Sequence, residues 1–119
     1  MDFREILKDM VQRVDGGKAA VLMGYDGIAI DEYKKEGEVT DIQLMGIEYS
    51  TVLKEMKHTS EILESGEVAE VSVVTGNGMV VARAVSDDYF VMIALALDGN
   101  LGKARYLMKT AAPNLKELL

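Results

Sequence analysis

The chain has 119 residues, 49% of them hydrophobic and 28% charged, the size and composition of a single globular domain. With no cysteine it can form neither a disulfide, a thiolate metal site nor a cysteine nucleophile. Its formal charge of -7 repels phosphate backbones, which disfavours nucleic acid, and its longest apolar run, the nine residues Tyr89 to Leu97, is far short of the ~18 of a membrane span.

Met1-Asp2-Phe3-Arg4-Glu5 lacks the basic-then-apolar order of a secretory signal, so the cysteine-free chain reads as cytoplasmic. Charge is unevenly placed. Residues 26–70 carry twelve acids and four bases, a net of -8, whereas residues 101–119 carry four bases and one acid, a net of +3.

Residues 2–14 set Phe3, Ile6, Leu7, Met10, Val11 and Val14 at the spacing of an amphipathic helix, which Asp15-Gly16-Gly17 ends. Ala19–Tyr25 and Ile28–Tyr33 read as strands about a tight Asp26-Gly27 turn. The first is apolar on both alternating sets and should be covered on both faces. Thr40 or Asp41 caps the longest periodic segment, about 41–64. There Ile42, Met45, Tyr49, Val52, Leu53, Met56 and Leu63 fall on one face, and Ser65-Gly66 stops the helix.

Val68–Thr75 alternates, with Ala69, Val71 and Val73 on one side, and Asn77-Gly78 turns it into Met79–Val85. Ser86-Asp87-Asp88 leads into Tyr89–Leu97, a second strand apolar on both faces. Asp98-Gly99-Asn100 opens a last helix with Leu101, Ala104, Leu107, Met108, Ala111, Leu115 and Leu118 on one face; Pro113 should kink or restart it. The order αββαβββα predicts an α/β sandwich, one domain over residues 1–119. Its five-stranded, mostly antiparallel sheet carries helices on both faces.

Chemistry-bearing motifs are sparse. Gly99-Asn100-Leu101-Gly102-Lys103 imitates a phosphate loop, but Leu97 stands where a Walker loop needs its first glycine and Ala104 where it needs Ser or Thr. A capped helix start is the better account. Any zinc site or hydrolytic triad would need the single histidine, His58, which stands mid-helix among Lys57, Glu55 and Glu61 on the side away from the main apolar stripe. Asp87-Asp88 is turn chemistry. Six of the eight methionines fall on helix stripes (Met10, Met45, Met56, Met108) or central strands (Met23, Met92), where they read as core. We therefore expect no catalytic residue, no metal and no cofactor.

The anomaly lies on the long helix. Leu44, Ile47, Thr51, His58 and Ile62 form a second row roughly opposite the first, where a helix on a sheet should be polar. A contiguous apolar row marks a partner surface. Between the rows sit Gly46 and Ser50. An interior helical glycine costs ~1 kcal/mol relative to alanine, so it reads as a place where another backbone comes close, here a second helix.

The ordered set of helix, Asp26-Gly27 hairpin, long helix, three strands, then Asn100-Leu101-Gly102-Lys103-Ala104-Arg105 opening the last helix resembles the roadblock / dynein light chain domain family over essentially the whole chain. Within it, the bacterial MglB type is most similar. The resemblance implies sheet order 2-1-5-4-3, with the long helix on one face and the terminal helices on the other. It implies a homodimer with third strands paired (Ala69, Val71, Val73) and long helices side by side at Gly46 and Ser50. It further implies that the dimer binds a small Ras-like GTPase across those helices and stimulates hydrolysis without a catalytic residue of its own. The second row of each protomer would then join into one apolar platform rimmed by Glu48, Lys54, Glu55 and Glu61. The alternatives are a roadblock-type scaffold that leaves the nucleotide cycle untouched and a small-molecule sensor. No convergent polar set in the sequence would orient a ligand for the latter.

Overall fold

Side-chain caps set where each helix begins. In a computed structural model describing all residues, Met1–Leu119, the Asp2 carboxylate accepts from the Glu5 N–H at 2.8 Å while Glu5 Oε1 accepts from the Asp2 N–H at 3.2 Å. This reciprocal pair starts helix α1 (Phe3–Arg13). Of the two candidate caps for the long helix, Asp41 serves, accepting from the Leu44 N–H at 3.1 Å ahead of α2 (Ile42–Ile62). Asn100 accepts from the Lys103 N–H at 3.0 Å and opens α3 (Leu101–Leu118). Each such cap is worth about 1 kcal/mol.

Five strands lie between the helices: β1 (Gly17–Gly24), β2 (Ala29–Lys34), β3 (Glu70–Thr75), β4 (Gly78–Ala84) and β5 (Tyr89–Leu95). They form one sheet in the order β2-β1-β5-β4-β3, antiparallel at every pairing. The two strands apolar on both faces, β1 and β5, are neighbours near its centre, and Val21, Leu22, Met23, Phe90, Val91, Met92 and Ile93 are wholly buried. Each such side chain contributes roughly 1.5–3 kcal/mol of transfer free energy.

Alternation of side chains divides the core in two. On one face Leu22, Val81, Val91 and Ile93 pack with Leu7 and Met10 of α1 and Leu107, Met108 and Leu115 of α3. On the other, Val21, Met23, Ala82, Phe90 and Met92 meet Ile42 and Leu53 of α2.

Two local expectations are corrected. Of a kink or a restart at Pro113, the restart is absent: α3 continues through it as one helix. Pro113 and Lys109, whose carbonyl loses its intrahelical donor, are both exposed, so the lost bond falls on the solvent side of the helix. On α2 the buried line is Ile42, Gly46, Ser50 and Leu53, while Val52, Met56 and Leu63 of the expected core stripe are exposed. The small residues let the helix approach the sheet most closely, so the large apolar ones end up beside the contact.

Candidate functional site

Gly46 is buried against the chain's own sheet. A Cβ there would stand 2.8 Å from Met23 Cε, 2.9 Å from its Sδ and 3.4 Å from Val21 Cγ1. Ser50 is buried too, its hydroxyl satisfied by donating to the Ile47 carbonyl at 2.6 Å. The close approach that this glycine permits is therefore made inside the molecule, to β1. This corrects the expected helix–helix contact at Gly46 and Ser50, neither of which presents surface to a partner.

Two flanks of α2 remain apolar and exposed, and they face opposite ways. Toward β2, Gln43 Nε2 donates to Glu32 Oε1 at 2.6 Å, and a Cβ placed on Gly27 of the β1–β2 turn would stand 3.8 Å from Ile47 Cγ1. Leu44, Ile47, Thr51, His58 and Ile62 are all exposed, as the second row requires. At 1.5 Å per residue they span roughly 27 Å, so Ile47 comes near the hairpin while His58 and Ile62 lie far down the helix. Toward β3, Val52, Met56 and Leu63 line a shallow depression with Val68.

The sheet edge beside that second flank is open. Ala69, Val71 and Val73 share the α2 side of β3 through their partners Ala84, Ala82 and Val80; Ala69 is exposed and the valines half-buried. The Ala84 N–H donates to the Ala69 carbonyl at 3.0 Å, which fixes the phase of the ladder. Ala69, Val71 and Val73 direct their backbone groups to β4, and Ser72 and Val74 direct theirs outward. The β3–β4 register has no irregularity. On the opposite face Glu70 accepts from Arg105 of α3 at 2.7 Å and from Arg83 at 3.5 Å, holding the edge strand to the last helix.

A third feature is a cleft of about 450 Å³ between the end of α2 and the β4–β5 turn, lined by Tyr25, Lys57, Glu61, Glu64, Glu67 and Asp87 among others. Lys57 Nζ stands 3.8 Å over the Tyr25 ring and donates to the Asp87 carbonyl at 3.0 Å. Burial first, then the negative charges of Glu67 and Asp87, push the Tyr25 phenol above its ordinary pKa.

No protein-family model matches the chain, and no curated protein does. Among solved structures, MglC from Myxococcus xanthus is 38% identical over 100% of both chains, with a TM-score of 0.73. The chain belongs to the roadblock family. A Roadblock/LC7 domain from Streptomyces avermitilis (15% identity, TM-score 0.85) covers 98% of this chain and 97% of its own. The gliding protein MglB from Thermus thermophilus (12% identity, TM-score 0.85) covers 96% and 85%. These two likenesses show the fold alone. The roadblock order of elements and the 2-1-5-4-3 sheet are as the resemblance implied.

Sequence reasoning missed two parts of this roadblock surface. Val52 and Met56 read as core because periodicity does not separate a buried face from an apolar flank; the smallness of Gly46 and Ser50 was the available signal. Ile28 read only as the start of a strand, although it is an exposed isoleucine at a hairpin tip.

Proposed function

We propose that the chain is a non-catalytic, homodimeric protein-binding module that docks a small Ras-like GTPase on the outer side of α2 and modulates its GTP hydrolysis. The observation that carries this reading is the exposed Leu44–Ile47 row on a helix whose opposite side is already packed on the sheet. Dimerisation is supported by the unlike character of the two sheet edges. β2 is interrupted by a register shift opposite Leu22 and Met23 and bears Lys34 and Asp31, devices that discourage strand pairing. β3 is regular and carries neither lysine nor proline. Pairing β3 with its copy would bring Val52, Met56 and Leu63 of two α2 helices together. The Ile47 rows would then lie on opposite shoulders of the dimer, as two separate docking surfaces in place of one joint platform.

A second reading is the scaffold without effect on the nucleotide cycle: identity reaches 38% with MglC but only 12–14% with MglB, so the likeness to MglB supports the fold and no activity. The deciding experiment titrates the protein against purified Ras-like GTPases of its own organism while following binding and GTP hydrolysis. Ile47→Asp should leave the dimer intact and weaken binding at least about tenfold, ~1.4 kcal/mol. Wild-type binding with hydrolysis at the intrinsic rate selects the scaffold. Absence of binding overturns the GTPase reading.

A further inference from the structure

On the sheet face that carries α1 and α3, one strand is left bare. The β3–β4 register sets Glu70, Ser72 and Val74 beside Arg83, Val81 and Met79, on the α3 side of the sheet. α3 lies mainly over β4 and partly over β5. It stops short of β3, where Ser72 is exposed and Val74 is 63% exposed.

One flank of α3 forms the wall of this shelf. Leu107, Thr110, Ala111 and Asn114 line the seam with α1. Arg105, Lys109 and Lys116 fall within ~40° of arc on the other flank, all exposed. Two contacts fix its direction: Arg105 donates to Glu70 of β3 at 2.7 Å, and Lys116 lines a hollow with Val68, Ala69 and Arg83. Glu70 is shared by Arg83 and Arg105, and neither Lys109 nor Lys116 makes an ion pair. Glu67, Asp87 and Asp88 share the hollow with Lys116 and offset that end. The positive part of the wall is therefore Arg105 to Lys109, in a chain whose net charge is -7.

Pairing β3 with its copy would double the shelf into a trough. Ser72 and Val74 direct their backbone groups outward, so they would pair across the two-fold axis with their side chains still on the α3 side. With strands ~4.8 Å apart, β4 would stand about 7 Å and β5 about 12 Å from that axis. The two copies of α3 would then run roughly 15–20 Å apart. Packed helices need about 8–10 Å between axes, so the gap admits one helix and not two. A floor of serine and valine is low enough for that helix to lie close.

We propose that the β3-paired dimer binds one amphipathic helix of a partner protein in this trough. Its apolar side lies on Ser72 and Val74 of both protomers, and carboxylates on its two flanks face Lys109 and Arg105 of the two walls. The proposal rests on the β3 pairing of the proposed dimer and is separate from the Ile47 surface, which belongs to the opposite face of the sheet. One helix along a two-fold axis sets the stoichiometry at one per dimer.

The test titrates three fluorescent helical peptides, matched in length to the 18 residues of α3, that share a leucine–alanine face and carry flanks of glutamate, glutamine or lysine. Fluorescence anisotropy should show the glutamate peptide binding at one per dimer, at least about tenfold tighter than the lysine peptide, and more weakly as salt rises. Lys109→Glu should weaken it about tenfold or more. Lys103→Glu, the same charge change on the flank toward α1, should bind as wild type. Equal binding of the three peptides, two peptides per dimer, or equal loss in the two lysine variants overturns the trough. Light scattering keeps this separate from the reading beneath it. A dimeric wild type that does not bind the glutamate peptide refutes the trough alone, whereas a monomeric wild type removes both.

Discussion

The end of the Met23 side chain occupies the space in which a Cβ on Gly46 would stand, 2.8 Å from Cε and 2.9 Å from Sδ. One residue is the bare surface of a helix and the other the flexible plug of a central strand. Together they set how closely α2 lies on the sheet, and hence which apolar residues of α2 are left outside.

Substitutions at Gly46 should therefore act on folding, not on assembly. Alanine gains ~1 kcal/mol of helix propensity and displaces only the mobile end of Met23, so Gly46→Ala should be near neutral. Gly46→Leu overfills the contact and should destabilise by about 1–3 kcal/mol in urea unfolding. Shortening the plug, as in Gly46→Leu/Met23→Ala, should recover part of that loss, a coupling that a double-mutant cycle reads directly. Light scattering should find the association state of folded Gly46→Leu unchanged. Loss of dimer without loss of stability would restore a helix–helix contact at this glycine.

Legibility in the sequence follows the length scale of the signal. Strands β1 and β5 are recognisable as central because their apolar runs leave no polar face, and that inference needs no knowledge of neighbours. The starts of α2 and α3 are legible for the same reason, since Asp41, one of two candidates with Thr40, and Asn100 act within three residues, whereas the Asp2 cap of α1 reads from sequence as part of the helix. Sheet order is not derivable from periodicity and comes through the family resemblance. Periodicity misassigns the side of α2 that meets the sheet because hydrophobicity ranks Val52 and Met56 above Gly46 and Ser50. Close packing favours the small residues at the point of nearest approach.

The ladder phase of β3 provides a direct test of dimerisation. The Ser72 N–H points away from β4, so proline at this position removes a donor from the open edge and none from the β3–β4 pairing. Ser72→Pro should keep the circular dichroism of wild type and change unfolding stability by no more than about 1 kcal/mol, while shifting light scattering from dimer to monomer. Ser72→Thr, which keeps the N–H and favours extended backbone, should remain dimeric. A dimer that survives Ser72→Pro at micromolar concentration would place the interface elsewhere.

Alkaline stability isolates one hydroxyl. Tyr25 is half-buried, its ring 5.2 Å from that of Phe90 and beneath the Lys57 ammonium. Burial, reinforced by Glu67 and Asp87, disfavours the phenolate, so the folded-state pKa lies above that of the unfolded chain. Below about pH 10, the ordinary tyrosine value, both states hold the proton and the full stability is present. As pH rises further the unfolded chain releases its proton first, so the folded state binds more protons and stability falls until the folded pKa is passed. Tyr25→Phe retains the ring, its contact with Phe90 and the cation above it, and removes only the titrating group. The stability difference between wild type and Tyr25→Phe should therefore be flat up to about pH 9 and then move against wild type. Ultraviolet titration of wild type against the variant should place the missing phenolate transition above the ordinary tyrosine range. A transition at or below that range, or parallel stability curves, would mean that Tyr25 is solvated and that the cleft around it is open to water at the ring.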